Sequence, residues 1–203
     1  IGPDESLVEI DTSRMNFSNP TDFQVLSNGD LVFSDFQGEA IIQFDINETP
    51  VAWDFIVPTS PSTEALTLGL GGELYVTDRS GQILITDTDT LDTTIGRDDA
   101  GRQYRWMTAV DERPGFDDGL LVWDGASDEL LLFADFDLTS DPTVVGTGFE
   151  DVRDLTFGPD GALYVALNRG EIVRVTPDVV PAPGALAALG LGLIGANRRR
   201  RLG

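Results

Sequence analysis

Apolar residues between Asp22 and Val175 come in short runs, and no stretch in this region sustains a helical period. Four segments share one plan: a glycine, an apolar strand, a turn with Gly or Asp, then a second apolar strand. They are GDLVFSDFQGEAIIQFD from Gly29, GELYVTDRSGQILITD from Gly72, GLLVWDGASDELLLF from Gly119 and GALYVALNRGEIVRVT from Gly161. Residues such as Leu74-Tyr75-Val76 and Leu163-Tyr164-Val165 suit strands packed on both faces. An earlier strand precedes most units: Asp22 to Leu26, Glu64 to Leu68, and Asp154 to Phe157. A later one follows, as in Val51 to Ile56. Ser27-Asn28-Gly29 and Pro159-Asp160-Gly161 supply the positive φ that tight hairpins need.

The leading glycines lie 43, 47 and 42 residues apart. β-rich units at about 40–45 residues read as propeller blades. The expected fold is therefore all-β, a propeller of four recognisable blades over residues 1–178. Residues 179–183 form a Pro-containing linker, and residues 184–203 a hydrophobic helix with an Arg-rich end. Leu7 to Asp11 reads as an outer strand without inner partners, and the fourth unit stops at Val175. The four blades are either a small ring, with the N-terminal strand completing the last blade, or part of a six- or seven-bladed one. The length favours the second. The repeats resemble NHL-type and gluconolactonase-like propellers, in which an inner strand leads into a Gly turn and a "lyVaD" strand.

The end of the chain changes the picture. Gly184 to Ala196 is 13 residues without a charge, preceded by Val180-Pro181-Ala182-Pro183 and followed by Arg198, Arg199, Arg200 and Arg201. The run is short and Gly-rich for a permanent span of about 20 residues. The arginines would stay on the cytoplasmic side and place the body outside. This layout resembles the PEP-CTERM sorting signal of Gram-negative bacteria, with Ala182 standing where the motif's name has Glu. The resemblance implies export, transient membrane insertion, cleavage by an exosortase, and a final place at the cell surface or in the exopolysaccharide matrix. Ile1 to Glu5 has no signal-peptide pattern, so a leader is expected to have been removed or to lie upstream.

Nine arginines outside that cluster face 35 acidic residues, a net charge of −26, and there is no lysine. Such a charge opposes nucleic acid and anionic membranes as partners. The absence of Cys excludes disulfides. The absence of His removes the usual neutral-pH base, the Ser-His-Asp triad and the commonest zinc ligand. It also argues against a quinone-dependent dehydrogenase, a family resembled in blade pattern but reliant on a His base.

Candidate chemistry is sparse. Asp22 and Asp154 each lie seven residues before a turn glycine, Gly29 and Gly161, and Glu64 lies seven before Gly71. At the mouth of a propeller channel, converging carboxylates would suit a hard cation, Ca²⁺ or Mg²⁺, with Ca²⁺ the expected cofactor. Gluconolactonase-like propellers hold a divalent ion nearby. The competing role for these acids is to cap strand starts. Asp87 to Asp92 alternates acids but has Leu91 and Asp92 where an EF-hand needs an oxygen ligand and Gly, so a solvated turn is expected. Trp53, Trp106 and Trp123 are candidates for stacking on sugars or for the core. The leading function is a non-enzymatic scaffold that binds exopolysaccharide or a surface protein. The alternative is an extracytoplasmic lactonase-like hydrolase using a bound cation.

Overall fold

A computed structural model describes residues 19–36, 40–45, 52–58, 63–90, 92–113 and 115–175, with strand path alone for 52–58. The expected strand at Leu7 to Asp11 and the C-terminal helix lie outside these residues. Every described element is a strand.

The strands form four antiparallel sheets, each meandering from an inner to an outer strand. Blade 1 holds β1 (Pro20–Val25), β2 (Leu31–Asp35), β3 (Ala40–Asp45) and β4 (Ala52–Pro58). Blade 2 holds β5 (Thr63–Leu68), β6 (Leu74–Asp78), β7 (Gln82–Thr86) and β8 (Thr93–Asp98). Blade 3 holds β9 (Tyr104–Val110), β10 (Gly119–Asp124), β11 (Glu129–Ala134) and β12 (Thr143–Thr147). Blade 4 holds β13 (Val152–Phe157), β14 (Leu163–Leu167) and β15 (Ile172–Val175).

The inner hairpins of blades 1, 2 and 4 are closed alike. Gly29, Gly72 and Gly161 donate to the carbonyls of Leu26, Gly69 and Gly158 at 3.0, 3.2 and 3.0 Å, with φ of 92°, 92° and 74°. Blade 3 differs from the expected repeat. Gly119 is the first residue of β10, paired with Val110 and Ala134, and its turn is the longer segment from Asp111 to Asp118.

Consecutive inner strands pack on one another: β1 on β5, β5 on β9, and β9 on β13. Each joint has its own core. Leu26, Val32 and Ile41 meet Leu66, Leu74 and Val76 between blades 1 and 2. Ile83 meets Met107, Leu120 and Val122 between blades 2 and 3. Leu130 meets Val152, Leu155 and Val165 between blades 3 and 4. Burying each of these side chains contributes about 1.5–3 kcal/mol. Among the described residues, no comparable strand packing joins blade 4 to blade 1.

Candidate functional site

All four inner strands slip by one residue near their start. The pairing shifts between Pro20 and Asp22, between Thr63 and Leu66, and opposite Trp123/Asp124 and Val152/Asp154. Bulges re-aim side chains and recur beside functional sites. Here they produce a ring of extra residues at one end of the inner strands.

The register fixes which positions correspond. The pairs Phe23↔Phe33, Leu66↔Val76, Met107↔Val122 and Leu155↔Val165 occupy one level. One step back lie Asp22, Ala65, Trp106 and Asp154, and in the bulges Thr21, Glu64, Arg105 and Arg153. Asp22 and Asp154 are thus equivalent, as the sequence suggested. Glu64 is not: its turn glycine is Gly72 rather than Gly71, and Ala65 holds the counterpart place.

Glu64 is 2% exposed. One oxygen accepts from Arg79 Nε at 2.5 Å and from Arg79 Nη2, and the other from Arg105 Nε at 2.5 Å. Arg105 lies over the Trp123 ring, 5.5 Å from its centre, and Arg79 over Phe36 at 4.7 Å. The carboxylate therefore ties blade 2 to blade 3, and Arg79 over Phe36 extends the contact to blade 1. Two guanidinium forks on a desolvated carboxylate supply the counter-charge that would otherwise come from a cation.

Asp22 joins two blades. Its Oδ2 accepts the Leu66 N–H at 2.8 Å and its Oδ1 the Phe23 N–H at 2.8 Å. Burial pushes its carboxyl up to about 6, against those two donors, and Asp154 adds a like-charge push. Asp154 accepts its own strand's Leu155 N–H at 2.8 Å, and burial raises its pKa as well. Among the described residues, no group of three His, Cys, Asp or Glu side chains is spaced to hold a metal ion. Glu64 points into the arginine pair, whereas Asp22 and Asp154 accept backbone N–H groups. What this mouth offers chemically is hydrogen bonding and charge, plus a carboxyl that titrates near pH 6.

The other candidates take structural places. Asp87 Oδ1 accepts the N–H groups of Asp89 and Thr90 at 2.9 and 2.8 Å, which holds its carboxyl below the usual range. Trp123 is buried, and Trp106 packs into the cores on both sides of blade 3. Both rings serve the core, Trp106 only in part; the side chain of Trp53 lies outside the described set.

Sequence reading missed a second set of acids, Asp35, Asp78 and Asp124, at the ends of the second strands and 1%, 1% and 0% exposed. Asp35 accepts the Asn19 N–H and Asp124 the Gln103 N–H, both at 2.8 Å, tying each turn to the residue that leads into the inner strand. Arg102 bridges Asp124 and Glu129 at 2.8 and 2.9 Å beside a polar cavity of about 280 Å³. The signal was present as a recurrent Asp in FSD, VTD and VWD.

Residues 179–201 match the PEP-CTERM protein-sorting motif, and residues 154–175 match the strictosidine synthase-like N-terminal family. No curated protein sequence matches. The fold is similar to a gluconolactonase from Xanthomonas campestris, with 16% identity, TM-score 0.61, and coverage of 76% of this chain and 57% of that one. It is also similar to a catalytically inactive virginiamycin B lyase from Staphylococcus aureus with quinupristin, at 16% identity and TM-score 0.56, covering 79% and 56%. A Bacteroides thetaiotaomicron protein of unknown function superposes with TM-score 0.62 at 11% identity, covering 80% and 42%. The chain spans little more than half the length of the first two. These likenesses show the β-propeller fold, and the terminal motif marks an exported protein, membrane-associated and processed by an exosortase.

Proposed function

We propose that this PEP-CTERM-bearing propeller is a cell-surface or exopolysaccharide-matrix protein whose blades form a non-enzymatic binding scaffold for exopolysaccharide or a surface protein. One observation carries the reading: Glu64, the most buried of the acids at the inner-strand mouth, is consumed by Arg79 and Arg105 as an interblade clasp. A mouth whose most buried acid is spent on holding blades together is built for rigidity, and a rigid repeat scaffold suits binding over an extended surface. The body's charge of −26 favours cationic or neutral polymers.

The test pairs two assays on the full chain. Binding to exopolysaccharide from a PEP-CTERM-producing bacterium is measured by co-sedimentation, and lactone hydrolysis is measured with millimolar Ca²⁺. Saturable binding without turnover is expected. Turnover that rises with Ca²⁺ and vanishes in Asp154→Ala would establish the lactonase-like alternative instead.

A further inference from the structure

The turn between the second and third strands of blade 3 carries more than the repeat needs. In the shared plan, the aspartate that ends the second strand holds the backbone around its turn. Asp124 Oδ1 does this work, accepting the Gln103 N–H at 2.8 Å and the Ala126 N–H at 3.0 Å. Its second oxygen is then surplus. In blade 2 the matching oxygen, Asp78 Oδ2, has no hydrogen-bond partner among the described residues, so the blade forms without pairing it. Blade 3 builds on it instead. Arg102 Nη1 donates to Asp124 Oδ2 at 2.8 Å, to Glu129 Oε2 at 2.9 Å and to Ser127 Oγ at 3.1 Å. The first residue of the third strand, Glu129 here, is Ala40 in blade 1, Gln82 in blade 2 and Ile172 in blade 4. Among the described blades, an acid at that place belongs to blade 3 alone.

These groups line the polar cavity of about 280 Å³, between residues 100–102, which lead into β9, and the turn from β10 to β11. Small-molecule pockets start at about 300 Å³, so the space suits a single small ring. Nη1 has two hydrogens for three acceptors and is spent. Nε and Nη2 of Arg102 meet no acceptor among the described residues, and Glu129 Oε1 meets no donor. None of these atoms is sealed from solvent, and the two side chains are 35% and 28% exposed. An occupant therefore finds two donors on one planar edge and one acceptor beside them. Their positions are fixed: fully buried Asp124 anchors the guanidinium, and the Arg102 hydrogen bond holds the Glu129 carboxyl below its usual range.

The lining selects by charge. Two carboxylates against one guanidinium leave a negative excess, which together with the acidic body repels an anion. A cation meets Arg102, already seated between both carboxylates. A neutral ring with adjacent hydroxyls satisfies every open group: its oxygens accept from the Nε–Nη2 edge, and an O–H donates to Glu129 Oε1. No aromatic side chain lines the cavity, so recognition runs through hydroxyls rather than stacking. We infer that this cavity is a subsite for one neutral sugar residue, held through adjacent hydroxyls by Arg102 and Glu129. The subsite rests on the scaffold reading for the polymer that supplies the sugar. It gives that reading a place on residues the inner-strand mouth does not use.

The experiment uses the full chain in a detergent without a sugar headgroup. Saturation-transfer NMR is run with the methyl glycosides of glucose, galactose and mannose at about 20 mM, enough to load a millimolar site, and with methyl glucuronoside as the anionic control. Transfer to at least one neutral glycoside and none to the glucuronoside is expected. Ala126→Trp plugs the cavity from an exposed turn position and leaves the ion pairs in place, so transfer should vanish at an unchanged Tm. Arg102→Lys keeps the charge and loses the planar edge, so affinity should fall about tenfold or more. No transfer to any neutral glycoside, equal transfer to the glucuronoside, or transfer that survives Ala126→Trp would each overturn the subsite. Co-sedimentation with exopolysaccharide separates the two readings. Polymer bound without glycoside transfer leaves the scaffold and removes the subsite. Glycoside transfer that Ala126→Trp abolishes, without polymer binding, leaves the subsite and removes the matrix polymer as its source.

Discussion

Removing the Glu64 side chain should open the clasp at the centre of the molecule. Glu64→Ala deletes a carboxylate whose side chain is 3% exposed and leaves two guanidiniums facing each other. Breaking a buried pair by removing one partner costs about 3–5 kcal/mol. The two arginines are not equally stranded: the Arg79 side chain is 41% exposed and rehydrates, whereas Arg105 is 15% exposed and pinned over Trp123. Only one cation is fully stranded, so the expected loss is about 3 kcal/mol, the low end of that range. For a domain of this size it corresponds to a fall of roughly 6–12 °C in Tm. Thermal melting followed by circular dichroism reads it directly. Glu64→Gln, which keeps the shape and one acceptor, should lose roughly half as much. The double variant with Arg105→Ala should recover at least about 1 kcal/mol relative to additivity, since the two residues touch. Because the pair is desolvated, the loss should change little between 0.05 and 0.5 M NaCl. A Tm shift under about 2 °C for Glu64→Ala, or strict additivity with Arg105→Ala, would refute the clasp.

Three further outcomes are expected. Asp22 has a raised pKa, so its stabilising contribution is complete below the unfolded value near 3.8 and is lost as pH rises through about 6. The stability of Asp22→Asn relative to wild type should therefore improve between pH 4 and 7.5, by up to about 3 kcal/mol; a pH-independent difference in urea midpoints would contradict the assignment. Gly72 and Gly81 share a φ of 92°, but a Cβ at Gly72 meets nothing within 4 Å, whereas one at Gly81 would lie 2.3 Å from the Asp99 carbonyl oxygen. Gly72→Ala should cost about 1–2 kcal/mol and Gly81→Ala roughly 2 kcal/mol more, and equal unfolding midpoints would show that the close approach is absent. Mass spectrometry of the protein recovered from its own cells should find a C-terminus upstream of Gly203, and replacing Arg198 to Arg201 with Ala should leave the tail uncleaved.

The blades were legible because their signals are local. Turn glycines, short apolar runs and a spacing near 43 residues identify the hairpins without any tertiary knowledge. Blade 3 misled for the same reason: a glycine at the expected spacing, Gly119, belongs to a strand, because the inner turn from Asp111 to Asp118 is longer than its counterparts. The site was less legible. Counting back from Gly71 instead of Gly72 moved Glu64 one place, and in a strand one place turns a side chain to the other side. Nothing local in the sequence shows that Arg79 and Arg105, 15 and 41 residues away, converge on that carboxylate. Asp22 and Asp154 hold equivalent register positions because their turns are regular, but their raised pKa values arise from burial, which only the packed inner strands reveal.

The joints also set the order in which the molecule can assemble. Leu66 reaches Asp22 across 44 residues, Gln24 reaches Leu66 across 42, and Ala109 reaches Thr67 across 42. Among the described residues these joints close over about the same short length of chain, which keeps the pairing local in sequence. A polypeptide that threads an export channel unfolded and N-terminus first can therefore dock each blade onto its predecessor as it emerges. With no cysteine to oxidise and the described joints local in sequence, maturation would keep pace with translocation. The last segment to clear the channel would be the one that carries the sorting motif.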